Sequence, residues 1–181
     1  ISTINHPWLN GQGLHDSTVG IIGYGRIGHS VAMKLKCFLP KQILYTSREE
    51  KRTVIKCKTH FMTYLDTLLR SSDFVVLTIA LTPETEGIMS RSKIALMKKN
   101  AVFVNTGRGG LLSSKENFGA GLDVMTPEPL PLDHPLQRLE NLLLPHMGWS
   151  SSKSKEDMFH LAANNAIAVL KGAPMPAEYV L

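Results

Sequence analysis

Residues Thr18–Gly28 read TVGIIGYGRIG. The first five, Thr18–Ile22, are an unbroken β-prone run, which predicts a strand buried on both faces. Gly23, Gly25 and Gly28 follow at G-x-G-x-x-G spacing, and behind them Arg26–Lys36 sets Ile27, Val31 and Leu35 on one helical face. A strand, a glycine turn and a helix in that order suit a diphosphate. The first glycine makes the turn and the second lets backbone approach the anion. The third lets helix and strand pack closely, and the helix N-terminus supplies amides and positive dipole. The pattern is weak alone; in this context it predicts dinucleotide binding at Gly23, Gly25, Arg26, Ile27 and Gly28.

Outward from this unit the chain keeps alternating. Gln42–Thr46 reads as a second strand and Leu65, Leu68 and Leu69 mark a short helix. The apolar run Phe74–Ala80 comes next, then a helical Ser90–Lys99 and strands at Ala101–Val104, Gly119–Val124 and Leu142–Leu144. A last helix runs from the serines at Ser150–Ser152 through Ala162–Leu170 and stops at Gly172, with Pro174 beyond. Apolar strands separated by helices predict an α/β doubly wound parallel sheet of Rossmann type.

With 181 residues, 43% hydrophobic and 19% charged, the chain suits one folded domain and not a disordered tail or fibre. No apolar run reaches the ~18–20 residues that span a bilayer. Ile1–Trp8 is neither basic nor apolar as a signal peptide would be, and without an initiator Met the chain reads as a fragment. Cys37 and Cys57 stand apart, without metal-ligand spacing, and read as reduced thiols of a cytoplasmic protein; no metal site is expected.

Charge is uneven. Residues 1–60 hold nine basic and three acidic side chains, against near balance in the rest. Such a pole suits a phosphorylated ligand, nucleic acid or plain solvation; without interleaved aromatics, nucleic acid is the weakest of these. The end of the second strand gives the pole a use. Where an NAD site carries an acid for the ribose 2′-hydroxyl, this chain offers Ser47 and Arg48, with Lys51 and Arg52 following. A hydroxyl and a guanidinium can hold a 2′-phosphate that an acid would repel, so NADP(H) is favoured and NAD(H) stays open.

Three strand-end segments remain: Asn105–Gly109 (NTGRG), Gly121–Pro129 (GLDVMTPEP) and Pro145–Gly148 (PHMG). In an open parallel sheet such loops meet at the ligand crevice, so Arg108, Glu128 and His146 are candidates to converge there. An Arg can anchor a 2-keto acid, and a His beside a carboxylate can pass a proton to the oxygen while hydride reaches the carbon.

Together VGIIGYGRIG, the LTPETEG stretch (Leu81–Gly87), VNTGRGG, GAGLDV, PEP and LPH resemble the D-2-hydroxyacid dehydrogenases. SREE, LDVMTPEPLPLDHPL and AANNAIAVLKGAPMP are most similar to the members that reduce glyoxylate and hydroxypyruvate. The resemblance implies His146 as general acid/base, Glu128 as its partner and Arg108 as substrate anchor. It places Asp123 at the nicotinamide amide and puts the segment from Ser47 to Lys51, Ala80, Thr106 and Gly148 along the cofactor. It also implies a small 2-keto or 2-hydroxy acid substrate, and a homodimer where an upstream domain is present.

On this basis residues 1–15 are expected to be the remnant of a dimerisation arm and 16–150 the dinucleotide-binding domain. Residues 151–181 would be a helix and tail packing toward a substrate domain. Three departures qualify the expectation. The loop that binds the substrate carboxylate in the family lies in a domain built mostly before this chain begins. Arg108 and Asp123 are closer in sequence than in the family, which predicts a missing crossover helix around Ser113–Phe118. Trp149 and Gly107 replace small or hydroxyl-bearing residues: the indole either crowds the nicotinamide or swings outward, and the glycine would loosen the Arg108 loop. A non-catalytic NADP-binding or interaction protein of the same family is therefore the alternative to a reductase.

Overall fold

The computed structural model describes residues 11–51, 58–113, 120–138 and 142–177. Among these residues seven parallel strands, β1 (Thr18–Ile22), β2 (Gln42–Thr46), β3 (Thr59–Phe61), β4 (Phe74–Leu77), β5 (Val102–Asn105), β6 (Ala120–Leu122) and β7 (Leu142–Leu143), form one sheet. Their order is β3-β2-β1-β4-β5-β6-β7. Chain order reverses across β1 and β4, whose carboxyl ends therefore frame the crevice where such sheets bind ligands.

β1 is buried along its whole length because both faces are covered. Val19 and Ile21 join Ile43, Tyr45, Ala32 of α1 (Arg26–Leu35) and Tyr24 in one apolar cluster. Ile22 points the other way, into a cluster with Leu68 and Leu69 of α2 (Leu65–Ser71), Leu77, Met89, Phe103 and Leu111. Gly20 belongs to this second face, where a β-carbon would overlap Ser72 and Leu68. The two-residue strand period thus sorts one short run into two cores. Truncating a fully buried Leu such as Leu68 costs about 2–5 kcal/mol in packing of this kind.

Several elements are shorter than the sequence suggests. The run Phe74–Ala80 is a strand only to Leu77. The helix expected over Ser90–Lys99 is α3 (Arg91–Ile94), capped by Ser90 Oγ accepting from Lys93 N. Beyond it, Leu96 N bonds Lys93 O and Met97 N bonds Ile94 O, so tight i→i+3 turns replace further helix. β3 has no counterpart in the sequence reading; it is three residues at the sheet edge with exposed His60 at its centre, and it leaves no apolar run. Between β5 and β6 the described residues hold a 3-10 turn at Gly109–Leu111; the predicted loss of a crossover helix falls on residues 114–119, outside the described residues.

The chain divides into two compact units between Pro145 and His146. Within the second unit α4 (Ser152–Leu170) is capped by Ser151, whose Oγ accepts from Ser154 N at 3.1 Å, and ends before Gly172 at φ +65°. The Asn165 side chain clasps the tail, donating to Ala177 O at 2.7 Å and accepting from Ala177 N at 3.2 Å.

Candidate functional site

The glycine turn is held by three strands. Gly23, at φ +96°, donates its amide to Thr46 O of β2 at 3.0 Å and lies against Ile79, leaving no room for a β-carbon. Thr78 just beyond β4 donates its hydroxyl to Gly23 O at 2.7 Å. Gly28 is buried, and a β-carbon there would overlap Gly23 O, so this glycine lets α1 seat on the turn. Gly25 is different: it is exposed and opens onto free space. It caps α1 without a side-chain hydrogen bond. Arg26 and Ile27 follow it, both exposed, Ile27 by 64%. Open first-turn amides beside a side-chain-free approach fit a diphosphate.

The Ser47–Lys51 loop leaves β2 next to this turn. Ser47 donates its hydroxyl to Glu49 O, Lys51 pairs with Glu49 at 3.8 Å, and Arg48 is exposed. Lys51 is also fixed by its backbone: the Tyr45 hydroxyl accepts from Lys51 N and donates to Lys51 O, both at 3.0 Å. Across the turn, Glu84 belongs to the Leu81–Gly87 loop. The Thr82 hydroxyl, its own amide and the positive charge of Arg48 hold its carboxyl below the usual range. Ala80 is exposed, and its carbonyl accepts from Thr85 Oγ1 at 2.7 Å.

The loops after β5 and β6 also meet. Buried Asn105 ends β5 and organises the next turn, donating Nδ2 to Arg108 O and accepting from Gly107 N, both at 3.0 Å. Gly107 is packed against Leu111 and Ile79 O, so it answers a lack of space and not the loosening the sequence suggested. Thr106 is exposed at the turn's start, and the exposed Arg108 guanidinium donates to Gly107 O at 2.7 Å. Gly109 lies against the backbone of Met125, where any side chain would collide. Met125 N in turn donates to Glu128 Oε1 at 2.7 Å. Asp123, 8% exposed at the end of β6, donates its amide to Asn105 O at 3.1 Å. Thr106, Arg108, Asp123 and Glu128 therefore sit on two interlocked loops.

His146 and Gly148 open the second unit. His146 has φ +52°, a left-handed conformation that costs a non-glycine residue roughly 1 kcal/mol or more. The indole of Trp149, 47% exposed, donates to His146 O at 3.0 Å, and Lys155 lies 5.6 Å above its ring. Among the described residues no cluster of His, Cys, Asp or Glu could hold a metal ion, and no helix is long and apolar enough to cross a membrane. Cys37 is an exposed free thiol; Cys57, like residues 1–10, lies outside the described residues.

The sequence reading singled out neither Asn105 nor Tyr45. Asn105 carried a signal, an amide side chain ending a strand before Thr-Gly. Tyr45 carried none, since its hydroxyl acts across a loop whose path only the fold defines.

Residues 2–148 match the model of the D-isomer specific 2-hydroxyacid dehydrogenase NAD binding domain. The chain is 42% identical over 185 aligned positions to a human glyoxylate reductase/hydroxypyruvate reductase, covering 96% of this chain and 56% of that protein. It is 39% identical to a glyoxylate reductase of Thermofilum pendens, covering 94% and 55%. A glyoxylate reductase crystal structure from Paecilomyes thermophila superposes with a TM-score of 0.79 at 30% identity, covering 88% of this chain and 51% of that one. The chain thus spans about half the length of the relatives it matches. With the glycine turn, the strand order and the interlocked strand-end loops in place, the chain belongs to the D-isomer specific 2-hydroxyacid dehydrogenase family, through its NAD binding domain.

Proposed function

We propose that this chain is the dinucleotide-binding part of a reductase that uses NADPH to reduce a small 2-keto acid such as glyoxylate or hydroxypyruvate. The observation that carries the cofactor assignment is the pairing of Ser47 with exposed Arg48 at the end of β2, beside the glycine turn. The two residues that leave β2 are a hydroxyl and a guanidinium, not the acid that would repel a 2′-phosphate; Glu49 follows them and is paired with Lys51 at 3.8 Å. The substrate class rests on family membership and on the names of the relatives.

In this reading Gly23, Gly25, Arg26, Ile27 and Gly28 hold the diphosphate, and Ser47, Arg48 and Lys51 hold the ribose end. Ala80, Thr106 and Gly148 line the cofactor, and Asp123 orients the nicotinamide amide. Bound NADPH supplies the hydride. Arg108 draws the substrate's carboxylate and carbonyl into register, while His146, assisted by Glu128, delivers the proton to the carbonyl oxygen. Residues 16–150 form the dinucleotide-binding domain, 151–181 a helix and tail that pack toward a substrate domain, and 1–15 part of a dimerisation arm. The working enzyme is a cytoplasmic homodimer.

Titrating the 181-residue chain with NADPH and NADH by nicotinamide fluorescence tests the cofactor assignment. Tighter binding of NADPH is expected, with the preference lost or reversed in Arg48→Asp. Equal binding, or an Arg48→Asp chain that keeps its preference, overturns it. Loss of NADPH absorbance on adding glyoxylate to the full-length protein, abolished by His146→Ala, tests the chemistry.

A further inference from the structure

Tyr45 is 2% exposed near the end of β2, and one side chain there touches both halves of the cofactor cradle. Its ring stacks on Tyr24, between the first two glycines, with centroids 4.0 Å apart and planes 29° from parallel. Tyr24 in turn meets His29 of α1 edge-on at 5.8 Å, and Phe61 of β3 lies tilted against Tyr45 at 5.6 Å. The hydroxyl reaches out of this aromatic stack to Lys51, bonding its amide and its carbonyl. A phenylalanine would fill the apolar cluster as well, so packing alone does not account for the hydroxyl. A buried phenol needs partners, and these are backbone groups six residues on, at the far end of the loop that carries Ser47 and Arg48.

We propose that Tyr45 is a positioning residue that sets the Ser47–Lys51 loop against the glycine turn, and through that register gives the chain its discrimination for the cofactor's 2′-phosphate. The discrimination rests on the NADPH reading above; the positioning does not. Ring stacking fixes Tyr45 to the diphosphate turn, and the paired hydrogen bonds fix the loop's end to Tyr45. Ser47 bonded to Glu49 O and the Lys51–Glu49 ion pair close the loop on itself. Arg48 then sits in a short loop anchored at β2 and at Lys51.

Tyr45→Phe in the 181-residue chain keeps the stack and removes both bonds to Lys51. Hydrogen exchange without cofactor should accelerate about tenfold at the Lys51 amide and its loop neighbours, the size expected when about 1.4 kcal/mol of hydrogen bonding is lost, while Gly23–Gly28 stays unchanged. Unchanged exchange over residues 47–51, or equal acceleration throughout the sheet, overturns the positioning role. Fluorescence titration should then show NADPH affinity falling about tenfold and NADH affinity less than about twofold. Parallel losses for both cofactors overturn the discrimination. A parent chain without preference for NADPH overturns the cofactor assignment instead, and the exchange result still decides the positioning.

Discussion

At the amino-terminal rim of the sheet, Asp73 accepts from Thr18 N at 2.8 Å with one carboxylate oxygen and from Lys98 at 2.7 Å with the other. Its backbone joins Thr18 O and Val102 N, so one residue links β1, β4 and β5. At the carboxyl-terminal rim the corresponding junction of β1, β2 and β4 is made by Gly23, with Thr46 and Thr78 as its partners. One rim spends charge and side chain on closing itself. The other uses neutral backbone and glycine, and leaves the α1 amides and Gly25 open. A rim whose charged group is engaged by its neighbours stabilises the sheet. A rim with unengaged helix-end amides keeps the capacity to bind.

Gly28→Ala should erase the contrast most severely. Its β-carbon would overlap Gly23 O, forcing α1 off the turn, with about 1–3 kcal/mol or more of stability lost in a thermal or urea melt. An unchanged melting point would mean the helix does not seat on the turn as described.

Asp73→Asn comes next and acts on the closed rim alone. Partial burial raises the Asp73 carboxyl, but the Lys98 ammonium and the Thr18 amide outweigh it and hold it below its ordinary value of 3.8. A carboxyl more acidic when folded contributes fully above its unfolded pKa and fades as pH falls through the folded one. Urea midpoints of the parent chain should therefore fall as pH drops below about 4. Asp73→Asn should lose about 1–3 kcal/mol at pH 7 and titrate less steeply in acid. Parallel pH profiles for the two chains would contradict it.

Gly25→Ala probes the open rim with the smallest cost in stability. Free space surrounds the position, so no more than ~1 kcal/mol should be lost. Dinucleotide affinity should nevertheless fall tenfold or more, equivalent to at least ~1.4 kcal/mol. Intact affinity would show that the diphosphate does not use this approach.

How much of this was legible in sequence differs from element to element. β1, β2 and the start of α1 stand where the β-prone runs and the helical spacing put them, because each is bounded by glycine or polar residues. β3 could not be read: three residues around His60 acquire strand geometry only by pairing with β2. The helix predicted beyond Ile94 failed because local i→i+3 bonds outcompeted it. In the site, the spacing of Gly23, Gly25 and Gly28 already carries an expected division of labour: turn, open approach and close packing. The fold shows the same division, with Gly23 and Gly28 packed and Gly25 open. Gly107 stands in no such spacing, and its closeness to Leu111 and Ile79 O could not be read, since glycine's two uses, freedom and closeness, look identical in one letter.

The sequence by itself determined a parallel sheet of alternating units, a glycine turn between β1 and α1, and a hydroxyl and a guanidinium directly after β2, because these depend on residue type and short spacing. Tertiary structure alone decided that Gly109 meets Met125, that Asp73 closes one rim, and that the Tyr45 hydroxyl reaches Lys51. Each of these joins groups through space, and a contact between folded segments leaves no period in the chain for a reader to find.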